Sequence, residues 1–179
     1  MDNLTPCSHQ VSVRGVKAVR EASISEGLGK IVCPCAVIGT KKGEIHDITT
    51  VAWVTQESLD PPQITVSLHP QRYVLELLRD TGEFVLSLLA EDQEKIASFC
   101  GSHSGRDTDK IKALGLELEP SKAVHTPRLK DCLANLECKV TGEYKSGDHV
   151  IVVGQVLAAS IDPSRKPLLY YQHEITRWG

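Results

Sequence analysis

Long apolar runs are missing from this sequence. No window approaches the length that spans a bilayer, and the opening MDNLTPCSHQ has neither the basic head nor the apolar stretch of a secretory signal. The expectations are a cytoplasmic chain and no membrane contact. Basic runs are missing as well: at a formal net charge of -3 the chain exerts no long-range pull on phosphate backbones, so nucleic acid is not an expected partner. Catalytic signatures are equally scarce. The sequence holds no Walker motif, no Gly-rich dinucleotide fingerprint, no nucleophile elbow and no His-Glu-x-x-His, which removes most hydrolase and nucleotide-binding classes. No side chain is singled out as a catalytic acid, base or nucleophile.

Six cysteines are present: Cys7, Cys33, Cys35, Cys100, Cys132 and Cys138. Without a signal peptide they read as thiols rather than a disulfide framework. Cys33 and Cys35 are separated by one residue instead of two, and that residue is Pro34, an awkward geometry for a shared tetrahedral metal. Structural cysteines, and no metal site, are the expectation.

The chain has 179 residues, 41% hydrophobic and 24% charged, which suits one globular domain with a sizeable core. Residues 1–28 are polar and irregular and read as an N-terminal extension; residues 29–179 form the domain. CAVIGT and IHDITTVAWVT are β-rich runs joined by KKGE, a hairpin loop. ESLDPP is expected to interrupt the strands, because consecutive prolines remove ladder donors, and QITVSL resumes with Ile64, Val66 and Leu68 on one face. PQRYVLELLRDTG reads as a helix with Arg72 and Glu76 paired four apart and Gly82 at its end. EFVLSLL is a buried strand, EDQEKIASFC a helix, and DTDKIKALG a helix capped by Asp107 and stopped by Gly115. In CLANLECKV the even positions Cys132 to Val140 are apolar and the odd ones mostly polar, the pattern of a half-buried strand. YKSGDHVIVVGQVLAA turns at Ser146-Gly147-Asp148 and continues apolar on both faces. The fold class is therefore α+β, mainly antiparallel β, with short connecting helices around a small barrel.

Three stretches carry candidate chemistry. In SFCGSHSGRDTDKIKAL (98–114), Ser102, Ser104, Gly105, Arg106 and Lys110 gather near an expected helix start, as an anion site would require. A solvent loop with solvated charges has the same composition. Thr49, Thr50, Ala52 and Trp53 put hydroxyls beside one of only two tryptophans, either an edge for a flat heterocycle or ordinary strand and core residues. His149 follows the Gly-Asp turn at a barrel rim, as a site residue or as a half-exposed turn histidine.

Taken in order, PCAVIGT, TTVAWVTQESLDPPQITVSL, QRYVLELLRDTGEFVLSLL, FCGSHSGRDTDKI, LECKV, GDHVIVVGQV and PLLYY make the chain from about residue 30 onward resemble the flavin reductase-like family of FMN-binding split-barrel proteins. The resemblance implies an FMN-binding split β-barrel, a homodimer, FMN as cofactor, NADH or NADPH as electron donor, and a monooxygenase or other electron acceptor as partner. It implies flavin contacts from Thr49, Thr50, Val51, Ala52, Trp53, Ser67 and Tyr73. Arg72, Ser102, Ser104, Gly105, Arg106 and Lys110 would serve the ribityl phosphate, and His149 and Tyr171 the substrate side. Two departures stand out: Val74 replaces a threonine frequent in relatives, and Asp47 replaces an uncharged Asn or Gly beside the anionic cofactor. The implied activity is hydride transfer from NAD(P)H to flavin. A flavoredoxin-like electron carrier with tightly held FMN, and a non-redox barrel for another flat ligand, are the rival readings.

Overall fold

Alternation sends Ile64, Val66 and Leu68 to one side of a strand, and all three are buried. The computed structural model describes residues 19–178, and strands of this kind dominate it. The chain begins with α1 (Ile24–Leu28), β1 (Cys33–Pro34), β2 (Ala36–Lys42), β3 (Ile45–Val51), β4 (Val54–Leu59) and β5 (Pro62–Leu68). It continues through α2 (Tyr73–Thr81), β6 (Glu83–Leu88), α3 (Glu94–Ser102), α4 (Lys110–Leu114), β7 (Leu118–Glu119) and β8 (Arg128–Leu129). The last strands are β9 (Ala134–Ser146), β10 (His149–Ile161), β11 (Leu168–Tyr171) and β12 (Glu174–Arg177). Cys7 and the first 18 residues of the expected extension lie outside the described residues.

Seven strands form one antiparallel sheet in the order β3-β2-β6-β9-β10-β5-β4. Its edges, β3 and β4, do not pair with each other, so the barrel is split. Inside it pack Ile38, Val66, Leu68, Leu86, Val152 and Phe84, with Val74, Leu75 and Leu78 of α2 closing the core. Gly154 is required here: a Cβ at that position would stand 2.4 Å from Phe84 Cζ. β2 is buried on both faces. Ala36 and Ile38 face the barrel interior, whereas Cys35 and Val37 join Ile48, Leu89, Ala97 and Cys100 in a second core beneath α3. Both β2–β3 and β9–β10 turn as expected, on Gly43 and Gly147 at φ 58° and 59°.

Five expectations are corrected. The prolines do not delay the strand: β4 runs on through Glu57-Ser58-Leu59, and Asp60-Pro61 form a two-residue turn into β5, whose first residue is Pro62. Pro62 sits at a strand start, where a missing N–H costs little. The run IHDITTVAWVT is instead broken at Ala52-Trp53, between β3 and β4. The odd face of CLANLECKV is buried as well, because Asn135 binds Ser87 and the Leu129 carbonyl while the Glu137 carboxylate accepts from the Lys122 and Ala123 amides. Finally, Asp109 rather than Asp107 caps α4, accepting from the Lys112 N–H, and Glu76 pairs with Arg106 rather than with Arg72.

Candidate functional site

The break at Ala52-Trp53 shapes the site. The Thr50 hydroxyl donates to the Ala97 carbonyl at 2.6 Å and the Thr49 hydroxyl to the Cys100 carbonyl at 3.3 Å, so both threonines tie β3 to α3. Their donors are used; their oxygens keep acceptor capacity. With β3 held back by α3, the chain steps outward and leaves Trp53 55% exposed, its carbonyl accepting from the Ser67 N–H of β5. The Trp53 ring meets the His149 ring with centroids 4.6 Å apart, and His69 meets His149 edge-on at 5.6 Å. The Asp148 carboxylate binds His149 Nδ1 at 2.8 Å, which holds the Asp148 carboxyl below its ordinary range. β5 and β10 are neighbours, and the sheet brings these three rings together from three chain segments.

Three adjoining cavities run along this wall. One, of about 420 Å³, is lined by Thr50, Val51, Ala52, Trp53, Ser67 and Ser102, among others, and is largely apolar. A second, of about 460 Å³, is polar, with Asp47, Thr49, Tyr73, Ser104, Gly105 and Lys110 on its surface. His69, Arg72 and His149 belong to both. A third, of about 660 Å³, is formed by Ile24, Leu28 and Ile31 of the α1 region with Val54 and Thr65, and shares Trp53, Ser67 and Tyr170 with the first. A flat apolar ring fits the middle of this groove, and an anionic substituent fits its polar end.

Most of the residues singled out in the sequence meet here, with two exceptions. Arg106 lines neither the apolar nor the polar cavity: its guanidinium is bound to Glu76 at 2.5 Å and lies over the Tyr73 ring at 4.7 Å. Tyr171 lines none of the three cavities and stands under Lys30 Nζ at 5.5 Å; its neighbour Tyr170 occupies the cavity side, since adjacent strand residues face opposite ways. Arg72 reaches both cavities and donates to the Gly101 carbonyl at 2.9 Å. Ser102 donates to the Ser98 carbonyl at 2.8 Å. The expected helix dipole at the 98–114 segment is not available to a ligand, because α4 has five residues and the Asp109 carboxylate already occupies its first turn.

Sequence reasoning passed over His69, His103, Cys35 and Tyr170. His103 stacks on Phe99 with centroids 4.0 Å apart at the lip of the polar cavity. Cys35 lines the apolar cavity, and burial pushes its thiol up to about 11, as it does for Cys100. Neither is a nucleophile under ordinary conditions. Only Cys35 carried any sequence signal, its place in the Cys-Pro-Cys run.

Comparison with known proteins fits this geometry. The model of the flavin reductase like domain family matches residues 28–179. An uncharacterized protein of Archaeoglobus fulgidus is 36% identical over 114 residues; the match spans 64% of this chain and 64% of that protein, less than two thirds of the relative's length. The NADH:riboflavin 5'-phosphate oxidoreductase of Streptomyces pristinaespiralis is 29% identical over 160 residues, 88% of each chain. Among solved structures, the styrene monooxygenase flavin reductase of Pseudomonas putida superposes with a TM-score of 0.77 at 26% identity, over 88% of this chain and 98% of that one. With a split antiparallel barrel, a groove of matching polarity and a family match over most of its length, the chain belongs to the flavin reductase like domain family.

Proposed function

We propose that the protein is an NAD(P)H:flavin oxidoreductase that binds FMN in the groove, with its ring in the apolar cavity and its phosphate in the polar one. The observation that carries this reading is the shared wall: His69, Arg72 and His149 join an apolar slot for a tricyclic ring to an adjoining polar pocket for its phosphate. The donor set suits the group, since the apolar side offers Val51, Ala52 and Trp53 and the polar side Arg72 and Ser104. Val51, Ala52 and Trp53 would hold the ring and Arg72 and Ser104 the phosphate, and the bound flavin would supply the hydride-accepting chemistry that these side chains lack.

The chain's own contribution is position. Trp53, Ser67 and Tyr170 border the apolar cavity on the side that opens to the third cavity, where the nicotinamide approaches. Trp53, His149 and His69 form an aromatic rim that excludes water from the ring face. Asp148 orients His149 by accepting from its Nδ1–H, which leaves Nε2 for the substrate side. Thr49 and Thr50 hold the wall through their bonds to α3, Ser102 ends that helix with its hydroxyl on the Ser98 carbonyl, and Tyr73 forms the polar cavity's side with Arg106 against its ring. Lys110 reaches the polar cavity as the partner of Asp47.

Residues 29–179 form the flavin domain in this reading, with residues 1–28 as an extension. The active species is a cytoplasmic homodimer that passes reduced flavin to a monooxygenase; support comes from the reductase names of the relatives and from half-buried apolar residues on the outer sheet, Ile151 and Val153. An anaerobic titration tests the activity. Protein mixed with FMN should lose the flavin's visible band when NADH or NADPH is added, at a rate well above that of free FMN. Failure to bind FMN, or binding without reduction by either nucleotide, would overturn it.

A further inference from the structure

Among the described residues, Lys110 and Asp47 form the one ion pair whose two side chains are both almost wholly buried, 2% and 3% exposed. Lys110 Nζ lies 2.9 Å from Asp47 Oδ1 and donates to the His103 carbonyl at 3.3 Å. Gly105 closes over the carboxylate so tightly that a Cβ there would stand 2.2 Å from Oδ1. All four residues line the polar cavity, whose other fully charged side chain is Arg72. Asp47 therefore consumes one of the two permanent cations that face the pocket and adds a carboxylate to its lining.

We propose that Asp47 is a specificity-determining residue: it sequesters Lys110 from the flavin phosphate, so Arg72 is the one cation left to hold the phosphate and the reduced flavin leaves between turnovers. The inference rests on the flavin reading of the groove. A lysine released from a carboxylate at this position would give a phosphate a charge-assisted hydrogen bond in a water-poor pocket, where such bonds are strongest. Paired with Asp47, it offers a dianion no net charge. The site then holds the phosphate through Arg72 alone, and flavin exchanges as a substrate with only a modest preference for FMN over riboflavin.

Dissociation constants for FMN and riboflavin test this on the full chain, its Asp47→Asn and Lys110→Met variants and the double variant. The wild type should favour FMN by no more than about tenfold, the share of the single Arg72 contact. Asp47→Asn should tighten FMN roughly tenfold or more and leave riboflavin unchanged, the size expected of one charge-assisted bond. Lys110→Met should weaken FMN alone, because Asp47 is left unpaired, and the double variant should return the ratio to that of the wild type. If Asp47→Asn binds riboflavin normally and FMN no more tightly than the wild type, the inference fails while the flavin reading stands. Should Asp47→Asn lose both ligands through misfolding, the double variant decides, since it leaves no buried charge: selective loss of FMN there would make Lys110 a direct ligand and overturn sequestration. A wild type that binds neither flavin overturns the flavin reading and the inference with it.

Discussion

Two arginines near the groove differ in what surrounds them. Arg72 lines both cavities with one nitrogen spent on the Gly101 carbonyl, whereas Arg106 is held by Glu76 and the Tyr73 ring outside the lining. Arg72→Ala should therefore weaken FMN about tenfold or more, by the loss of a charge-assisted contact, and Arg106→Ala should change FMN affinity less than threefold. Equal losses in calorimetric titrations would put both arginines on the phosphate. Trp53 offers a second check. With Trp178 replaced by Phe, the remaining tryptophan fluorescence should be quenched on FMN binding, and persistence of full emission would remove Trp53 from the ring site. A third concerns His46, whose Nε2 is buried without a hydrogen-bond partner and whose burial lowers its pKa from 6.5 to about 4. In the unfolded chain the imidazole protonates first, so this contribution is fully present above pH 6.5 and is lost as pH falls toward 4. Urea midpoints should fall over that window in the wild type and fall less in His46→Phe; parallel curves would show that another group is responsible.

At the scale of elements, the strands written in period two were legible. β5 lies where its alternation placed it, because one buried face fixes register and leaves few alternatives, and β2 and β6, buried on both faces, lie where their short apolar runs and turn residues placed them. The break at Ala52-Trp53 was not legible, since no Gly or Pro marks it. Its cause is the hold of α3 on Thr49 and Thr50, about 50 residues away in sequence. Asn135 and Glu137 were misread for a related reason. Their polar side chains look solvent-facing until the 120–132 segment folds over them and supplies amide donors to Glu137 and the Leu129 carbonyl as acceptor to Asn135. Glu137→Ala would strand the Lys122 and Ala123 amides, and it should cost roughly 3 kcal/mol in denaturant unfolding for two lost bonds to a charged acceptor. A cost under about 1 kcal/mol would mean that water replaces the carboxylate. In the site, Trp53 and His149 could be named from their neighbours in sequence and Arg72 only through the family resemblance, but His69, His103 and Tyr170 could not be named, because only the closed sheet brings them to one groove.

For the whole molecule, the split between β3 and β4 and the apolar residues at the surface raise the question of what covers them. Ile24, Leu28, Ile31 and Trp53 are all more than half exposed. A homodimer that buries such surface should give a light-scattering mass near twice 19.6 kDa at micromolar concentration; a monomer mass under those conditions would contradict the proposed dimer. The groove itself has a further consequence. His69, Arg72 and His149 stand in both cavities, so moving any of them disturbs the grip on the ring and on the phosphate at once. Asp47, Ser104 and Lys110 touch the polar cavity and not the apolar one. Descendants of this chain can thus drift in their taste for one flavin form over another by changing those three positions, while the redox half of the site is inherited intact.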